Sequence, residues 1–298
     1  MNGRTVKSNK PDRSASVAAI VRALESNRSE KERLFNDLFS LKLLPTTFRL
    51  IFYVLRIPFF LSALLNYWQR NYGGVMGNVI CRTCFIDETL CRALDDNIDS
   101  LVILGAGLDS RAYRVPDLSE INVFELDHPS TQNWKQARLS KIFGNVPKHV
   151  RFLPIDFNQN NLESVLTEAG FIRGSKSFFI LEGVIQYISE KAVDRIFRSV
   201  HQLAGRGSLI VFTYIKRGTV DGTDCSDLDR KIAALQKRNG VPWTFGFEPN
   251  YLDEYMGDRG LSIVEDIGAL EYQERYPRPL GRDMKAWEGE RIVLAFVE

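Results

Sequence analysis

An apolar run, Leu101-Val102-Ile103-Leu104, leads directly into Gly105-Ala106-Gly107-Leu108-Asp109-Ser110, so a buried strand is expected to end in a glycine turn. Glycines at such a turn let the backbone pass close to a bound group, because no Cβ stands in the way. Farther on, at the tip of the next apolar run, stand Glu125 and Asp127. A carboxylate about 20 residues after a glycine turn can accept hydrogen bonds from the two hydroxyls of a ribose. The combination is a candidate nucleoside site, with either acid in place to hold the sugar.

The loop departs from the dinucleotide fingerprint. Ser110 stands where the third glycine of G-x-G-x-x-G lets a helix begin close under a pyrophosphate, and Asp109 precedes it. A carboxylate beside a pyrophosphate is repelled. Beside a sulfonium amino-acid cofactor, cationic at sulfur and at its ammonium, it is tolerated, which favours S-adenosylmethionine over NAD.

The elements around these residues follow from apolar periodicity. Short runs at Leu101 to Leu104, Ile121 to Phe124, Val150 to Leu153, Ser177 to Leu181 and Leu209 to Tyr214 have the length of strands buried on both faces. Helical stretches from about Ser130 to Phe143 and Glu190 to Leu203 lie between them and stop at Gly144 and Gly205. Such alternation predicts a parallel sheet covered by helices. The end of the chain adds a charged helix at Asp227 to Arg238, a helix near Tyr251 to Met256 and strands near Ser262 to Ile267 and Arg291 to Val297. Ahead of the sheet, residues 1 to about 100 read as helical. Val17, Ile20, Val21 and Leu24 recur at helical spacing, and Ser29-Glu30-Lys31-Glu32 predicts a capping box ahead of Leu34, Phe35 and Leu38. The expected organisation is a helical region over 1–98, an α/β core over 99–298, and an insertion at about 217–247.

Composition bounds the class. The 298 residues carry 39 Lys+Arg against 37 Asp+Glu, a formal net charge of +2, with 44% hydrophobic and 26% charged residues. That describes a globular chain with no strong field for nucleic acid. Four cysteines are too few for a disulfide scaffold, and residues 1 to 16 contain no apolar signal stretch, so the expected compartment is the cytoplasm.

Three segments together resemble successive motifs of the leucine carboxyl methyltransferase family: Leu104-Gly105-Ala106-Gly107-Leu108-Asp109-Ser110-Arg111-Ala112-Tyr113-Arg114, Phe124-Glu125-Leu126-Asp127-His128-Pro129, and Leu181-Glu182-Gly183-Val184-Ile185-Gln186-Tyr187. The resemblance implies an α/β, Rossmann-like class I methyltransferase fold, with a seven-stranded sheet whose last strand is antiparallel and an N-terminal helical lid. It implies S-adenosyl-L-methionine as cofactor. Carried over, Gly105 and Gly107 resemble the cofactor turn and Asp127 the ribose ligand, with Glu125 the alternate. Asp156 resembles the acid near the adenine amino group, with Phe157 beside the ring, and Glu182 the carboxylate facing the methionine ammonium. Arg82 matches a family arginine that holds the cofactor carboxylate, and Arg22 is similar to an earlier basic residue with the same role; a guanidinium suits the task because it grips both oxygens. Tyr187 is a candidate cofactor or substrate contact, with a core position as the alternative.

Other groups promise less chemistry. Cys81-Arg82-Thr83-Cys84 is a C-x-x-C without a second pair, and His128, His149 and His201 are scattered, so no metal site is expected. Between Asp37 and Asp87 there is no acidic residue, while Lys42, Arg49, Arg56 and Arg70 are spaced by multiples of seven among many apolar residues. Pro45 and Pro58 interrupt that stretch, and Arg56 near its middle argues against a membrane span. A lid over the site, a weak membrane-surface contact through residues 46–70 and a partner-binding face are the readings, with the lid foremost.

The sequence offers no convincing general base. A carboxylate nucleophile is already ionised at neutral pH and needs none. The expected activity is therefore O-methylation of the carboxylate of a small, partly apolar acid. The alternatives are a protein C-terminal carboxyl methyltransferase, an NAD-dependent oxidoreductase and a non-catalytic cofactor-binding module.

Overall fold

The computed structural model describes residues 13–54 and 57–298. Helices come first: α1 (Arg13–Ser26), α2 (Ser40–Leu43), α3 (Thr46–Val54), α4 (Pro58–Asn71) and α5 (Val75–Asp95). Strand and helix then alternate through β1 (Ser100–Leu104), α6 (Arg111–Arg114), β2 (Asn122–Asp127), α7 (Pro129–Phe143), β3 (Val150–Pro154), α8 (Leu162–Glu168), β4 (Ser177–Leu181), α9 (Glu190–Leu203) and β5 (Leu209–Ile215). The chain continues through α10 (Arg217–Asp221), α11 (Asp227–Arg238), α12 (Pro249–Gly257), β6 (Leu261–Ile267), α13 (Ala269–Arg275) and β7 (Glu290–Val297).

Local chemistry sets these limits. Proline opens α7 at Pro129, where its missing N–H is no loss, and Gly144 at φ +80° closes it. Ser189 caps α9 by accepting from the Ala192 N–H, and Ser226 and Asp229 form a capping box on α11.

Among the described residues the strands form one seven-stranded sheet in the order β3-β2-β1-β4-β5-β7-β6. Strands β1 to β5 pair in parallel, and β7 runs antiparallel to both β5 and β6. This is the α/β sheet with an antiparallel last strand that the resemblance implied. Alternate residues of the central strands feed two cores. Val102, Leu104, Phe124 and Phe179 pack with α8, α9 and α12, whereas Leu101, Ile103, Val123 and Phe178 pack with α5 and α13. Because the chain leaves β1 toward β2 and β3 on one side, then returns to β4 on the other, a crevice opens at the carboxyl ends of β1 and β4.

Two outer segments cover that crevice. The excursion after β5 leaves and returns at one place, since Lys216 bridges Phe247 and the Arg217 N–H donates to the Phe247 carbonyl at 2.8 Å. On the other side, α4 brings Trp68 and Tyr72 toward the crevice, their rings 5.4 Å apart. The outer surface of α3 and α4 differs: Phe59 is 74% exposed and Ile51 51%. Arg56 of the expected basic stripe, and the side chain of Arg49, lie outside what is described.

One expected element is replaced. Ser29 to Leu38 forms turns rather than a capped helix. The Ser29 hydroxyl bonds the Glu32 carboxylate, not a backbone N–H. Side chains from outside capture the backbone donors a helix would need: Leu34 N–H donates to Glu25, and Asp37 N–H to the Ser26 hydroxyl.

The aromatic cluster of α9 offers a measure of the core. Phe197 is fully buried, edge-on to Phe212 at 5.0 Å and to Tyr255 at 6.2 Å. Phe197→Ala is expected to lower the free energy of unfolding by about 3–5 kcal/mol in denaturant titration.

Candidate functional site

The glycine turn after β1 is bent onto the tip of β2. Gly105 at φ +74° and Gly107 at φ +44° occupy backbone conformations that side chains disfavour. A Cβ on Gly105 would stand 2.2 Å from Val184 Cγ2, and one on Gly107 3.1 Å from the Ala15 Cβ of α1. The N–H groups of Gly105 and Ala106 donate to the Leu126 carbonyl at 2.8 and 2.9 Å. Asp127 is pinned from both sides, its Oδ2 accepting from Gly107 N–H and its Oδ1 from His128 N–H, each at 2.5 Å. Its carboxylate therefore holds one orientation at the sheet rim.

Behind the turn lies a buried ionic network. Arg111, 1% exposed, bonds Asp87 at 2.8 Å, Glu182 at 3.1 Å and Asp109. Arg82 of α5 joins Glu182 at 2.8 Å to Glu290 at 2.7 Å. Arg22 of α1 bonds Asp37 at 3.0 Å and the Leu108 carbonyl at 2.7 Å, tying the first helix to the glycine turn. Burial pushes the carboxyl groups of Asp37, Asp109 and Glu182 upward. Their neighbouring guanidiniums more than offset it, Arg22 for Asp37, Arg111 for Asp109 and Arg82 for Glu182, so all three sit below the ordinary carboxylate range. Glu290 goes the other way, raised by burial despite Arg82.

The crevice encloses a cavity of about 410 Å³, within the roughly 300–1,000 Å³ of small-molecule sites. Arg22, Arg82, Gly105, Gly107, Asp127, Asp156, Phe157, Glu182 and Tyr187 all line it, so nine residues singled out in the sequence meet around one cavity. Asp156 is shaped by its own loop, accepting from the Asn158 N–H at 2.9 Å and the Gln159 amide at 2.7 Å. Position along the rim orders them: Asp156 and Asp127 follow β3 and β2, the glycine turn and Glu182 follow β1 and β4, and Glu290 opens β7 beside Ile215 at the end of β5.

Glu125 is a correction. It does not line the cavity. Its side chain is buried, paired with Lys135 at 2.6 Å and accepting from the Tyr113 hydroxyl at 2.7 Å. It shares a face of β2 with Asp127 but lies inside the strand, where Lys135 of α7 and Tyr113 of α6 cover it, whereas Asp127 is the last residue and reaches the rim. Asp109 is also reinterpreted: its charge is met by Arg111, within the loop itself, rather than left for a ligand. Arg111 was present in the quoted motif, but nothing in its spacing marked it as buried. Trp243, Trp287, Gln186 and Glu290 line the cavity without having been foreseen, since their positions depend on distant elements meeting.

The remaining candidates are structural. His128 caps α7, its ring nitrogen 2.9 Å from the Ser130 hydroxyl. The Cys81 thiol is buried and pushed up to about 12, chiefly by that burial. Among the described residues no group of three or more His, Cys, Asp or Glu side chains could hold a metal, and no helix is long and apolar enough to cross a membrane.

A family model, that of leucine carboxyl methyltransferase, matches residues 15–201. The chain belongs to the leucine carboxyl methyltransferase family. A Bacillus subtilis (strain 168) relative, YktD, whose name assigns it provisionally to the S-adenosyl-L-methionine-dependent methyltransferases, is 29% identical over 189 residues, 63% of this chain and 62% of its own. A Mycobacterium marinum relative with the same provisional assignment is 33% identical over 191 residues, 63% of this chain and 59% of its own. These matches cover about six-tenths of the length of the curated relatives. A crystal structure from Thermobifida fusca YX, titled provisionally as a methyltransferase, aligns with 99% of this chain and 98% of its own at TM-score 0.55 and 16% identity, so the two share the class I methyltransferase fold. The three motifs of this leucine carboxyl methyltransferase family member all lie within the matched span and all reach the crevice.

The lowered carboxylates predict acid sensitivity with a definite sign. The folded state resists protonating Asp37, Asp109 and Glu182, so their stabilisation is complete above the unfolded carboxylate pKa of about 4 and is lost as pH falls through the folded values. Glu182→Gln is expected to flatten that acid limb in pH-dependent denaturation and to destabilise the protein at pH 7 by on the order of 3 kcal/mol, since two buried guanidiniums lose a counter-charge.

Proposed function

We propose that the protein is an S-adenosylmethionine-dependent O-methyltransferase whose acceptor is the carboxylate of a small, partly apolar acid. The observation that carries this is the charge on the cavity wall. Among the described residues, Asp127 and Asp156 line it beside Asp109, Glu182 and Glu290, which are ion-paired to Arg111 and Arg82, and the two guanidiniums that line it, Arg22 and Arg82, are both ion-paired as well. Such a wall favours a ligand with a cationic sulfur and an ammonium over a pyrophosphate.

In this reading Asp127, clamped by two backbone N–H groups, takes the ribose hydroxyls, and Asp156 with Phe157 takes the adenine. Glu182 faces the ammonium. Arg82 uses Nε and Nη1 for its two ion pairs, which leaves Nη2, beside Gly183, for the cofactor carboxylate; Arg22 supports the same end. When bound, S-adenosylmethionine supplies an electrophilic methyl group and the positive charge that draws an anionic acceptor. The rest of the work is positioning and exclusion of water, done by the helices ahead of residue 98 and by the 217–247 excursion. On the wall His128 is engaged with Ser130, Glu182 with Arg82 and Arg111, and Glu290 through Oε2 with Arg82, while Glu290 Oε1 is buried without a hydrogen-bond partner among the described residues. An acceptor already ionised at neutral pH fits that condition. The aromatic wall of Trp68, Tyr72, Trp243 and Trp287 suits its apolar part.

Calorimetric titration with S-adenosylmethionine and S-adenosylhomocysteine, with NADH for comparison, tests the reading. Binding of both sulfur ligands is expected, with Asp127→Ala weakening it by about 1–3 kcal/mol. Tighter binding of NADH would overturn it, and methyl transfer confined to phenols or amines would overturn the carboxylate acceptor.

The exposed Ile51, Ile57, Phe59 and Phe60, in a stretch free of acidic residues from Leu38 to Ile86, are suited to weak contact with an anionic membrane surface. Partial pelleting with phosphatidylserine vesicles, abolished by salt, is the expected outcome. No pelleting at low salt confines α3 and α4 to the lid.

A further inference from the structure

Two indoles stand stacked at the β7 end of the cavity, Trp243 and Trp287, with ring centroids 5.7 Å apart and planes 20° from parallel. Their N–H groups have different fates. Trp287 Nε1 donates to Asp229 at 2.5 Å, whereas Trp243 Nε1 is buried without a partner among the described residues, on the cavity wall. Gln186, 5% exposed on the same wall, has the converse defect: its Oε1 is buried and accepts from nothing. The backbone holds the two positions side by side, because the Thr244 N–H donates to the Gln186 carbonyl at 2.8 Å and the Thr244 hydroxyl to the Ile188 carbonyl at 3.0 Å.

Buried polar groups are nearly always paired; beside Glu290 Oε1, which is unmatched on the same cavity but belongs to an ion-paired carboxylate, an unmatched neutral donor next to an unmatched neutral acceptor describes the ligand that would complete them. Topology says which ligand. Gln186 follows β4, Trp243 belongs to the excursion after β5, and Trp287 precedes β7. All three lie across the rim from Asp127 and Asp156 at the ends of β2 and β3. Ile232 and Leu235 of α11 complete an apolar surround.

Resting on the methyltransferase reading above, we propose that Trp243 and Gln186 form the acceptor subsite, and that the acceptor is an acid carrying a hydroxyl or N–H beside its carboxylate. The Trp243 N–H donates to one carboxylate oxygen. The neighbouring hydroxyl or N–H of the acceptor donates to Gln186 Oε1. An acid without that second group leaves the Gln186 carbonyl unpaired, and the site discriminates against it.

The test uses full-length protein saturated with S-adenosylhomocysteine, titrated calorimetrically with matched pairs: phenyllactate against 3-phenylpropanoate, mandelate against phenylacetate, and 3-hydroxydecanoate against decanoate. In the tightest pair the hydroxy acid is expected to bind about tenfold better. Gln186→Met should erase that preference while leaving the plain acid unchanged. Trp243→Phe, which keeps the stacked ring and removes only the N–H, should weaken both members of the pair by a similar factor. Affinity for S-adenosylhomocysteine is the internal control and should not move in either variant. Its absence in the wild-type protein sinks the cofactor reading. With that affinity intact, the subsite alone is overturned by failure of every acid to bind, by equal affinity within all pairs, or by a preference that survives Gln186→Met.

Discussion

Arg82 and Arg111 close on the two oxygens of Glu182, and the crevice takes its shape from that clasp. Arg82 comes from α5, Arg111 from the short helix after the glycine turn, and Glu182 from the end of β4. Through Glu290 the same network reaches β7, and through Asp87 it returns to α5. A carboxylate at the sheet rim thereby joins the helical region to both halves of the sheet. Without it each of two buried guanidiniums would lose one counter-charge, Arg82 keeping Glu290 and Arg111 keeping Asp87 and Asp109.

The same charges that organise the fold prepare the site. Among the described residues, the guanidiniums on the wall, Arg22 and Arg82, are committed to carboxylates of the protein, so the remaining acidic groups set the character of the cavity. Asp127 shows how closely turn and rim are coupled: the N–H of Gly107 that shapes the turn is also a group that fixes the carboxylate. The crevice is asymmetric along the rim. Asp127, Asp156 and the glycine turn occupy the β3-β2-β1 side, whereas the β4-β5-β7 side carries Glu182 and Glu290, both ion-paired to Arg82, together with the indole rings of Trp243 and Trp287.

Much of this was legible in the residues. Strand β4, predicted over Ser177 to Leu181, and α9, over Glu190 to Leu203, lie where local periodicity placed them, because a run buried on both faces and a capped amphipathic helix announce themselves locally. The glycine turn and Asp127 were visible for the same reason: strand, turn and next strand are neighbours in sequence as well as in space. The turns from Ser29 to Leu38 were not, since the groups that take their backbone donors, Glu25 and Ser26, belong to the preceding helix and act through tertiary placement.

The sequence by itself determined the sheet, the helices that cover it and the glycine turn with Asp127 at the tip of the next strand, because each rests on spacing over a few tens of residues. Tertiary structure decided the rest. It turned Glu125 into the core with Lys135, matched Asp109 to Arg111, and committed Arg82 to Glu182 and Glu290, residues 100 and 208 positions away. It alone brought Trp243 beside Gln186 and Trp287. Pairing among buried charges and the filling of a cavity wall are set by distances in space, which local pattern does not encode, whereas strand burial and turn chemistry are written in neighbouring residues.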